Sequence, residues 1–146
     1  MKVFIFDPIW NELITDDLEA KLEPIKSSIE IITEIMPLKE FKGLSDNDDK
    51  ILCLNPDYVN WNLKNDDYKD ILNLKVILPA STSVSWIEKE SANELNLPIC
   101  DIRGFSTESV SEWAITMMFN VARQIPMLIK SNFPLDYGND YLKYKG

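Results

Sequence analysis

Hydrophobic residues follow two alternating patterns along this chain. Short apolar runs, rich in β-branched residues, lie at positions 3–6, 30–35, 50–54, 75–78 and 99–102 and predict strands. Between them, the segments at 10–22, 62–72 and 86–95 have the length and polarity of helices. Regular alternation of strands with helices predicts an α/β fold in which a mainly parallel sheet carries flanking helices.

The five predicted strands and their helices fill the first hundred residues in a flavodoxin-like manner. Capping boxes are indicated at Ser85 to Glu88 and at Ser109 to Glu112, where a hydroxyl and a carboxylate would satisfy free N–H groups. The second box introduces a long helix that Pro126 ends. Its apolar residues keep the i, i+3, i+4, i+7 spacing: Val110, Trp113, Ala114, Met117, Met118, Val121 and Ile125.

Residues 127–146 have no clear periodicity, yet they are too aromatic for a disordered tail. We interpret them as an arm that packs on this domain or on another subunit. The expected organisation is therefore a flavodoxin-like domain at 1–104, a linking helix at 105–126 and an arm at 127–146.

Composition narrows the possible functions. A length of 146 residues and a hydrophobic content of 45% suit one folded domain, and a net charge of −9 argues against nucleic-acid binding. The chain has no histidine, which excludes Ser–His and Cys–His nucleophiles, histidine zinc sites and imidazole acid–base steps. Cys53 and Cys100 lie in apolar runs and predict buried thiols rather than a disulfide. Without a signal peptide or a membrane-length apolar run, we expect a soluble, cytoplasmic protein.

The acidic run at 46–49 begins like a calcium-binding loop. Ile51 stands where such a loop needs glycine, and Asp57 replaces the closing glutamate. The interpretation is a solvated turn, and no metal site is predicted.

Parallel α/β sheets bind ligands outside the carboxyl ends of their strands, which directs attention to the loops that begin at Asp7, Asn55, Pro79 and Arg103. Residues 81–85 form the richest of these, because small hydroxylated residues let backbone amides approach an anion. An ordinary strand-to-helix turn capped by Ser85 explains the same residues, and both interpretations stay open.

Two motifs carry a family resemblance. Gly104-Phe-Ser-Thr-Glu-Ser-Val-Ser-Glu112 is similar to Gly-Tyr-Ser-Thr-Glu-Ser-Val-Ala-Glu, and Ser81-Thr-Ser-Val-Ser-Trp-Ile-Glu88 is similar to Ser-x-Gly-x-Asp-x-Ile-Asp. Both patterns belong to the D-isomer-specific 2-hydroxyacid dehydrogenases. The resemblance covers the whole chain and is strongest over residues 75–125, where the family's substrate domain meets its nucleotide domain.

The resemblance implies a set of site residues. Backbone amides at Ser81, Thr82, Ser83 and Val84 would hold the substrate carboxylate, and Asn55 would lie in a substrate-contacting loop. Thr107 and Val110 would line the interdomain cleft near the nicotinamide of NAD or NADP. Two positions depart from the family: Ser83 replaces a glycine and Ser85 replaces an aspartate. Ser83 would be strained if the glycine position needs a positive φ.

Other family features have no counterpart in this sequence. Its four glycines cannot form G-x-G-x-x-G, and the family's Arg, Glu and His lie downstream of the matched region. The chain resembles a substrate domain cut at a domain boundary. We therefore expect the substrate-binding part of an NAD(P)-dependent D-2-hydroxyacid dehydrogenase, with a small 2-oxo or 2-hydroxy acid as ligand. No residue is assigned as catalytic, and NAD or NADP is not expected to bind tightly to this chain alone.

Two alternatives remain. A free-standing, non-catalytic domain could bind a ligand or form a homo-oligomer through the helix at 107–125 and the arm. A receiver-like signalling module is suggested by Asp7, Asp57 and Ser81 or Thr82 near strand ends. Against it, Asn55 stands where the phospho-acceptor aspartate belongs, and Arg103-Gly replaces Lys-Pro.

Overall fold

The structure is a computed structural model that describes residues 1–130. The chain divides into two compact units, Met1–Arg103 and Gly104–Gly146. The first unit contains the sheet, and the described part of the second is helical. No helix in the described part of the chain is long and apolar enough to cross a membrane.

The first unit is built on a parallel sheet of four strands in the order β2-β1-β3-β4. Phe6 at the end of β1 pairs with Ile32 of β2 and with Leu54 of β3. The predicted α/β class and parallel sheet are confirmed, with the strand order of flavodoxin-like folds. The strands are β1 (Lys2–Phe6), β2 (Ile29–Ile32), β3 (Lys50–Leu54) and β4 (Leu74–Pro79).

The prediction of a fifth strand at 99–102 is wrong. This segment makes one isolated parallel bridge, between Ile99 and Ile77. The Ile77 amide donates to the Pro98 carbonyl at 3.0 Å, and the Cys100 amide donates to the Ile77 carbonyl at 3.0 Å. Two residues further on, the Ile102 amide donates to the carbonyl of Ser81, which lies beyond the end of β4. The segment therefore extends past the end of the strand with which it would pair.

Four short helices flank the sheet. The helix predicted at 10–22 is divided, because Thr15 is extended and its hydroxyl accepts from the Leu18 amide to cap the second piece. The other two predicted helices are reduced to single short turns. The helices are α1 (Trp10–Leu13), α2 (Asp16–Leu22), α3 (Asn65–Tyr68) and α4 (Glu90–Glu94), with 3₁₀ turns at Glu23–Ser28, Leu38–Glu40, Lys42–Ser45 and Pro56–Val59.

The capping box predicted at Ser85 is also wrong, because the residues after it are not helical. Ile87 forms a parallel bridge with Leu63, whose amide donates to the Trp86 carbonyl at 3.0 Å. The Glu88 amide returns a bond to the Leu63 carbonyl at 2.9 Å. This pairing keeps Ile87 out of a helix, after a turn at residues 85 and 86, and the helix begins only at Glu90.

The core lies on one face of the sheet. Phe4 and Phe6 of β1 and Leu52 and Leu54 of β3 alternate with half-buried residues and have no exposed surface. Tyr58 packs edge-on against Phe6 with ring centroids 5.1 Å apart. Burial of these side chains supplies most of the free energy that stabilises the sheet. The remaining buried core residues are Ile32, Leu38, Leu44, Leu63, Tyr68, Ile77, Ile87, Ala92 and Leu97.

The two cysteines differ in environment. Cys53 lies on the opposite face of β3 from the core and is partly buried, and burial raises the pKa of its thiol. Cys100 is exposed, which corrects the prediction that both thiols are buried. Its segment lies past the sheet edge at β4, where little covers it. Both thiols are free, as predicted.

In the second unit, α5 (Thr107–Ala122) begins two residues before the predicted capping Ser109, so that capping box is wrong. The residue at the helix start, Ser106, makes no side-chain capping bond. A second helix, α6 (Ile125–Lys130), follows the left-handed Gln124 and has Pro126 in its first turn, where proline is tolerated. The first residues of the predicted arm are thus helical, and the arm from 131 onwards lies outside the described residues.

A buried lysine closes the amino edge of the sheet. Lys50, at the start of β3, is wholly buried and donates to the carbonyls of Asp46, Asp48 and Leu72 at 2.6, 2.8 and 3.0 Å. Its ammonium lies 2.9 Å from an Asp46 carboxylate oxygen. Lys2 also bonds the Asp46 carboxylate, and these lysines hold the pKa of Asp46 well below its usual range. The acidic turn is therefore organised around two ammonium groups.

Candidate functional site

The carboxyl ends of β1, β3 and β4 are joined by backbone hydrogen bonds. The Asn55 amide donates to the Phe6 carbonyl at 2.9 Å, and the Ala80 amide donates to the Leu54 carbonyl at 2.9 Å. Because parallel strands all point the same way, the loops after them lie side by side at this edge. The loop at Asn55 and the loop at 81–85 are therefore neighbours.

Asn55 and Asp7 hold each other in place. The Asn55 side-chain nitrogen donates to the Asp7 carboxylate at 3.0 Å, and the same carboxylate oxygen accepts from the Ile9 amide at 3.0 Å. The Asn55 side-chain oxygen accepts from the Asp57 amide at 3.0 Å. One Asn55 side-chain hydrogen remains for a ligand. Its predicted role in substrate binding stays a prediction.

The loop at 81–85 is anchored at its first residue. Ser81 is buried, and its hydroxyl donates to the Ser83 carbonyl at 2.7 Å. Its own carbonyl accepts from the Ile102 amide at 3.2 Å. The hydroxyls of Ser83 and Ser85 lie 3.1 Å apart, and the Ser85 amide contacts the Ser83 hydroxyl at 3.4 Å. The loop is shaped by its serines and by the segment that follows α4.

Three consecutive backbone amides in this loop have no partner within the described chain. The N–H groups of Thr82, Ser83 and Val84, like that of the buried Ser81 before them, donate to no other residue between 1 and 130, whereas the amides of Ala80 and Ser85 do. Thr82 and Ser83 are exposed and Val84 is half-buried, so all three can reach a ligand. Successive free amides in a loop bind an anion where they converge on it.

Serine fits the backbone at position 83. Ser83 is not among the residues with a positive φ, so the strain expected of a serine in the place of a glycine does not arise. The left-handed residues of this edge lie elsewhere, at Asn60 and Trp61, with φ of 51° and 53°.

Sequence reasoning overlooked two tryptophans at this edge. Trp86 donates its indole N–H to the Ser83 carbonyl at 2.8 Å and also contacts the Ser81 hydroxyl at 3.2 Å. Trp61 packs edge-on against Trp86, with ring centroids 6.1 Å apart. The sequence did contain a signal for them, because Trp61 lies six residues after Asn55 and Trp86 directly follows the loop at 81–85.

Thr107 and Val110, the predicted nicotinamide contacts, belong to the second unit. Thr107 opens α5, and its amide donates to the Gly104 carbonyl at 3.2 Å. Val110 is exposed on the same helix. Gly104 has a φ of 77°, which a residue with a side chain adopts only under strain, and it lies where one unit gives way to the next.

The loop after β1 does not fit the pyrophosphate of a dinucleotide. The loop after β1 begins with the Asp7 carboxylate, which already accepts from the Ile9 amide, and that loop contains no glycine. A carboxylate in this position repels phosphate, and a side chain at each position hinders close approach to the backbone. No group of three or more metal-ligating side chains lies among residues 1–130.

No protein-family model and no curated protein matches the chain. Solved structures do match. D-lactate dehydrogenase from Aquifex aeolicus, solved with NAD and lactic acid, aligns over 90% of this chain with a TM-score of 0.64 and 19% identity. A protein from Pyrococcus horikoshii aligns over 100% with a TM-score of 0.64 and 20% identity. The apo D-lactate dehydrogenase from Escherichia coli aligns over 89% with a TM-score of 0.54 and 20% identity.

This chain shares the fold of part of each of these proteins. It spans 38%, 42% and 40% of those three structures, so it corresponds to about two fifths of each. The likeness to D-2-hydroxyacid dehydrogenases is confirmed at the level of the fold.

Proposed function

We propose that this chain is the substrate-binding part of a D-2-hydroxyacid dehydrogenase and holds the carboxylate of a small 2-oxo or 2-hydroxy acid. The observation that carries the proposal is the row of unpartnered amides at Thr82, Ser83 and Val84, at the carboxyl edge of a parallel sheet. The fold shared with D-lactate dehydrogenases supports it.

The geometry suits a carboxylate better than a neutral ligand. A carboxylate has two oxygens that accept several hydrogen bonds, and bonds from amides to a charged acceptor are about twice as strong as neutral ones. The hydroxyls of Thr82 and Ser85 are further donors in the same loop. Because the net charge of −9 repels anions at long range, binding must come from these local dipoles.

Substrate oxidation or reduction at C2 belongs to the proposed whole enzyme. NAD, when bound, supplies or accepts the hydride. This chain's own contribution is to hold the acid in one orientation, through its carboxylate on the amides of residues 82–84. Such orientation accounts for a large part of the rate in reactions between two bound reactants. Thr107 and Val110 remain proposed contacts to the nicotinamide.

The test is a titration of the ¹⁵N-labelled chain with pyruvate, followed by amide chemical shifts. We expect saturable shifts at Thr82, Ser83 and Val84, and no comparable shift at Lys21 or Lys69 on exposed surfaces. Sodium chloride at the same ionic strength is the control for general salt effects. Unchanged shifts at residues 82–84, or equal shifts with chloride, would contradict the proposal.

We also propose that the chain associates with a second copy of itself through α5. None of the sixteen residues of α5 is buried, although the helix is largely apolar. Its exposed side chains include Val110, Trp113, Ile115, Met118 and Phe119. A row of large apolar side chains exposed to water favours association with a partner surface. Light scattering should show a dimer at micromolar concentration and a shift toward monomer in Met118→Glu; a monomeric mass in the unsubstituted chain would contradict this.

A further inference from the structure

Two indoles form an aromatic pair beside the unpartnered amides. Trp61 and Trp86 meet edge-on, with ring centroids 6.1 Å apart and ring planes at 71°. Trp61 comes from the loop after β3, and Trp86 comes from the loop after β4. The pair therefore connects the two loops at the candidate site.

Trp86 is fixed to the amide row itself. Its indole nitrogen donates to the Ser83 carbonyl at 2.8 Å, and Ser83 is the central residue of the three free amides. The same nitrogen contacts the hydroxyl of the buried Ser81 at 3.2 Å. The indole pair is thus attached to the loop that carries the free amides.

Trp61 is held in an unusual position. Its φ is 53°, and Asn60 before it has a φ of 51°. A left-handed backbone is costly for a bulky side chain, and the Trp61 side chain gains little from burial because 53% of it is exposed. Its indole nitrogen donates to the Asp57 carboxylate at 2.7 Å, which fixes the ring. Strained residues that core packing does not explain occur preferentially at functional sites.

The chemistry of the pair indicates what it can recognise. Both indole N–H groups already donate within the protein, and Trp86 is half-buried against the core, so a ligand meets mainly the apolar face and edges of the exposed Trp61 ring. Aromatic groups favour such faces and edges in stacked or edge-on contact. The Asp57 carboxylate at Trp61 repels a second acidic group on the same ligand.

We propose that Trp61 and Trp86 select the substrate side chain, so that the site prefers a 2-oxo monocarboxylic acid with an aromatic side chain over one with a methyl group. The inference rests on the proposed function, because the amides of residues 82–84 must first hold the carboxylate. Trp86 is a positioning residue as well, since it also braces the Ser83 carbonyl.

The experiment compares phenylpyruvate with pyruvate by isothermal titration calorimetry on the 146-residue chain. We expect phenylpyruvate to bind about tenfold more tightly, the size of gain that an aromatic contact with its buried area provides. Trp61→Leu should abolish this preference by lowering the affinity for phenylpyruvate to that for pyruvate. Trp10→Leu is the matched control, because Trp10 lines a cavity with Ile14 and Ile29 elsewhere in the unit. Far-UV circular dichroism checks that both variants fold.

The possible outcomes separate the two proposals. Equal affinity for both acids, or a preference that survives in Trp61→Leu, would overturn the aromatic selection and leave the carboxylate site standing. No binding of either acid would overturn both proposals. Loss of the preference in Trp10→Leu to the same degree as in Trp61→Leu would show a general effect of tryptophan loss and would also overturn the selection.

Discussion

The two ends of the sheet differ in how completely their polar groups are satisfied. At the amino edge, the ammonium of buried Lys50 meets three carbonyls and the Asp46 carboxylate. At the carboxyl edge, the amides of Thr82, Ser83 and Val84 meet no group of the described chain. Saturated groups stabilise a fold, whereas unsatisfied groups near the surface are free to bind. The groups that stabilise the sheet therefore lie at one end of its strands, and the groups proposed to bind a ligand lie at the other.

The largest expected effect comes from removing the Lys50 ammonium. In Lys50→Met, the carbonyls of Asp46, Asp48 and Leu72 lose their donor and the Asp46 carboxylate loses a partner, so unfolding free energy should fall by about 3–5 kcal/mol. Urea denaturation measures it. Lys75→Met is the control, because the Lys75–Asp49 pair is exposed and such pairs contribute about 0–1 kcal/mol. Equal losses in both variants would show that burial of Lys50 is not decisive.

At the carboxyl edge, the next effect is on binding rather than on stability. Ser83→Pro removes one amide donor, and hydrogen bonds to charged groups contribute about 1.5–3 kcal/mol, so pyruvate affinity should fall at least tenfold. Ser83→Ala keeps the amide and loses only the hydroxyl, so it should bind as the unsubstituted chain does. Calorimetry compares the two variants. Comparable weakening in Ser83→Ala would assign the binding to the hydroxyl.

Acid should weaken the amino edge selectively. The hydrogen bond from Lys2, followed by that from Lys50, holds the pKa of Asp46 below its usual value of 3.8. A carboxyl whose pKa is lowered by folding contributes stability that is present above that usual value and is lost as the pH falls through the lower, folded value. The fall in stability from about pH 4 to about pH 2 should therefore be smaller in Asp46→Asn. Unfolding followed across this range measures it.

Asp17→Asn is the control for the acid experiment, since the Asp17–Lys21 pair lies on an exposed helix surface. It should leave the pH dependence as in the unsubstituted chain. A pH profile of Asp46→Asn that coincides with that of Asp17→Asn would contradict the role given to Asp46.

The smallest effect distinguishes two left-handed asparagines. Asn73, at the amino edge, has a φ of 56° and donates its side-chain nitrogen to the Asn47 carbonyl at 2.7 Å. Asn60, at the carboxyl edge, has a φ of 51° and no side-chain hydrogen bond to a described residue. Glycine accepts both backbones, so Asn73→Gly should cost about 0.5–1.5 kcal/mol more than Asn60→Gly, the value of one hydrogen bond. Thermal unfolding of both variants checks the difference.

Sequence reasoning recovered the parallel sheet because β1 and β3 are continuous apolar runs bounded by polar residues. It failed where tertiary pairing overrode local preference. Ser85 and Glu88 have the spacing of a capping box, but a turn at residues 85 and 86 and the bridge between Leu63 and Ile87 take the place of the first helical turn. A local sequence motif contains no information about a pairing partner more than twenty residues away in the chain.

The candidate site also has features that the sequence predicts and features that depend on tertiary pairing. The hydroxyl-rich loop at 81–85 could be identified from the sequence. Small residues after a buried strand mark a place where backbone amides can approach a ligand closely. That its middle amides lack partners, and that Trp86 and Trp61 lie beside them, depends on the pairing of loops far apart in the chain.

Hydrophobic periodicity and residue chemistry by themselves determined the α/β class, the strands at the centre of the sheet and the position of the hydroxyl-rich loop after β4. These depend on residues close in sequence, whose preferences add locally. Only the tertiary structure decided where helices begin, that Lys50 is buried among carbonyls, and that Trp86, paired with Trp61, bonds the loop that carries the free amides. Those features arise from contacts between distant segments, and the burial and hydrogen bonds of such contacts outweigh the small free energies of local preference.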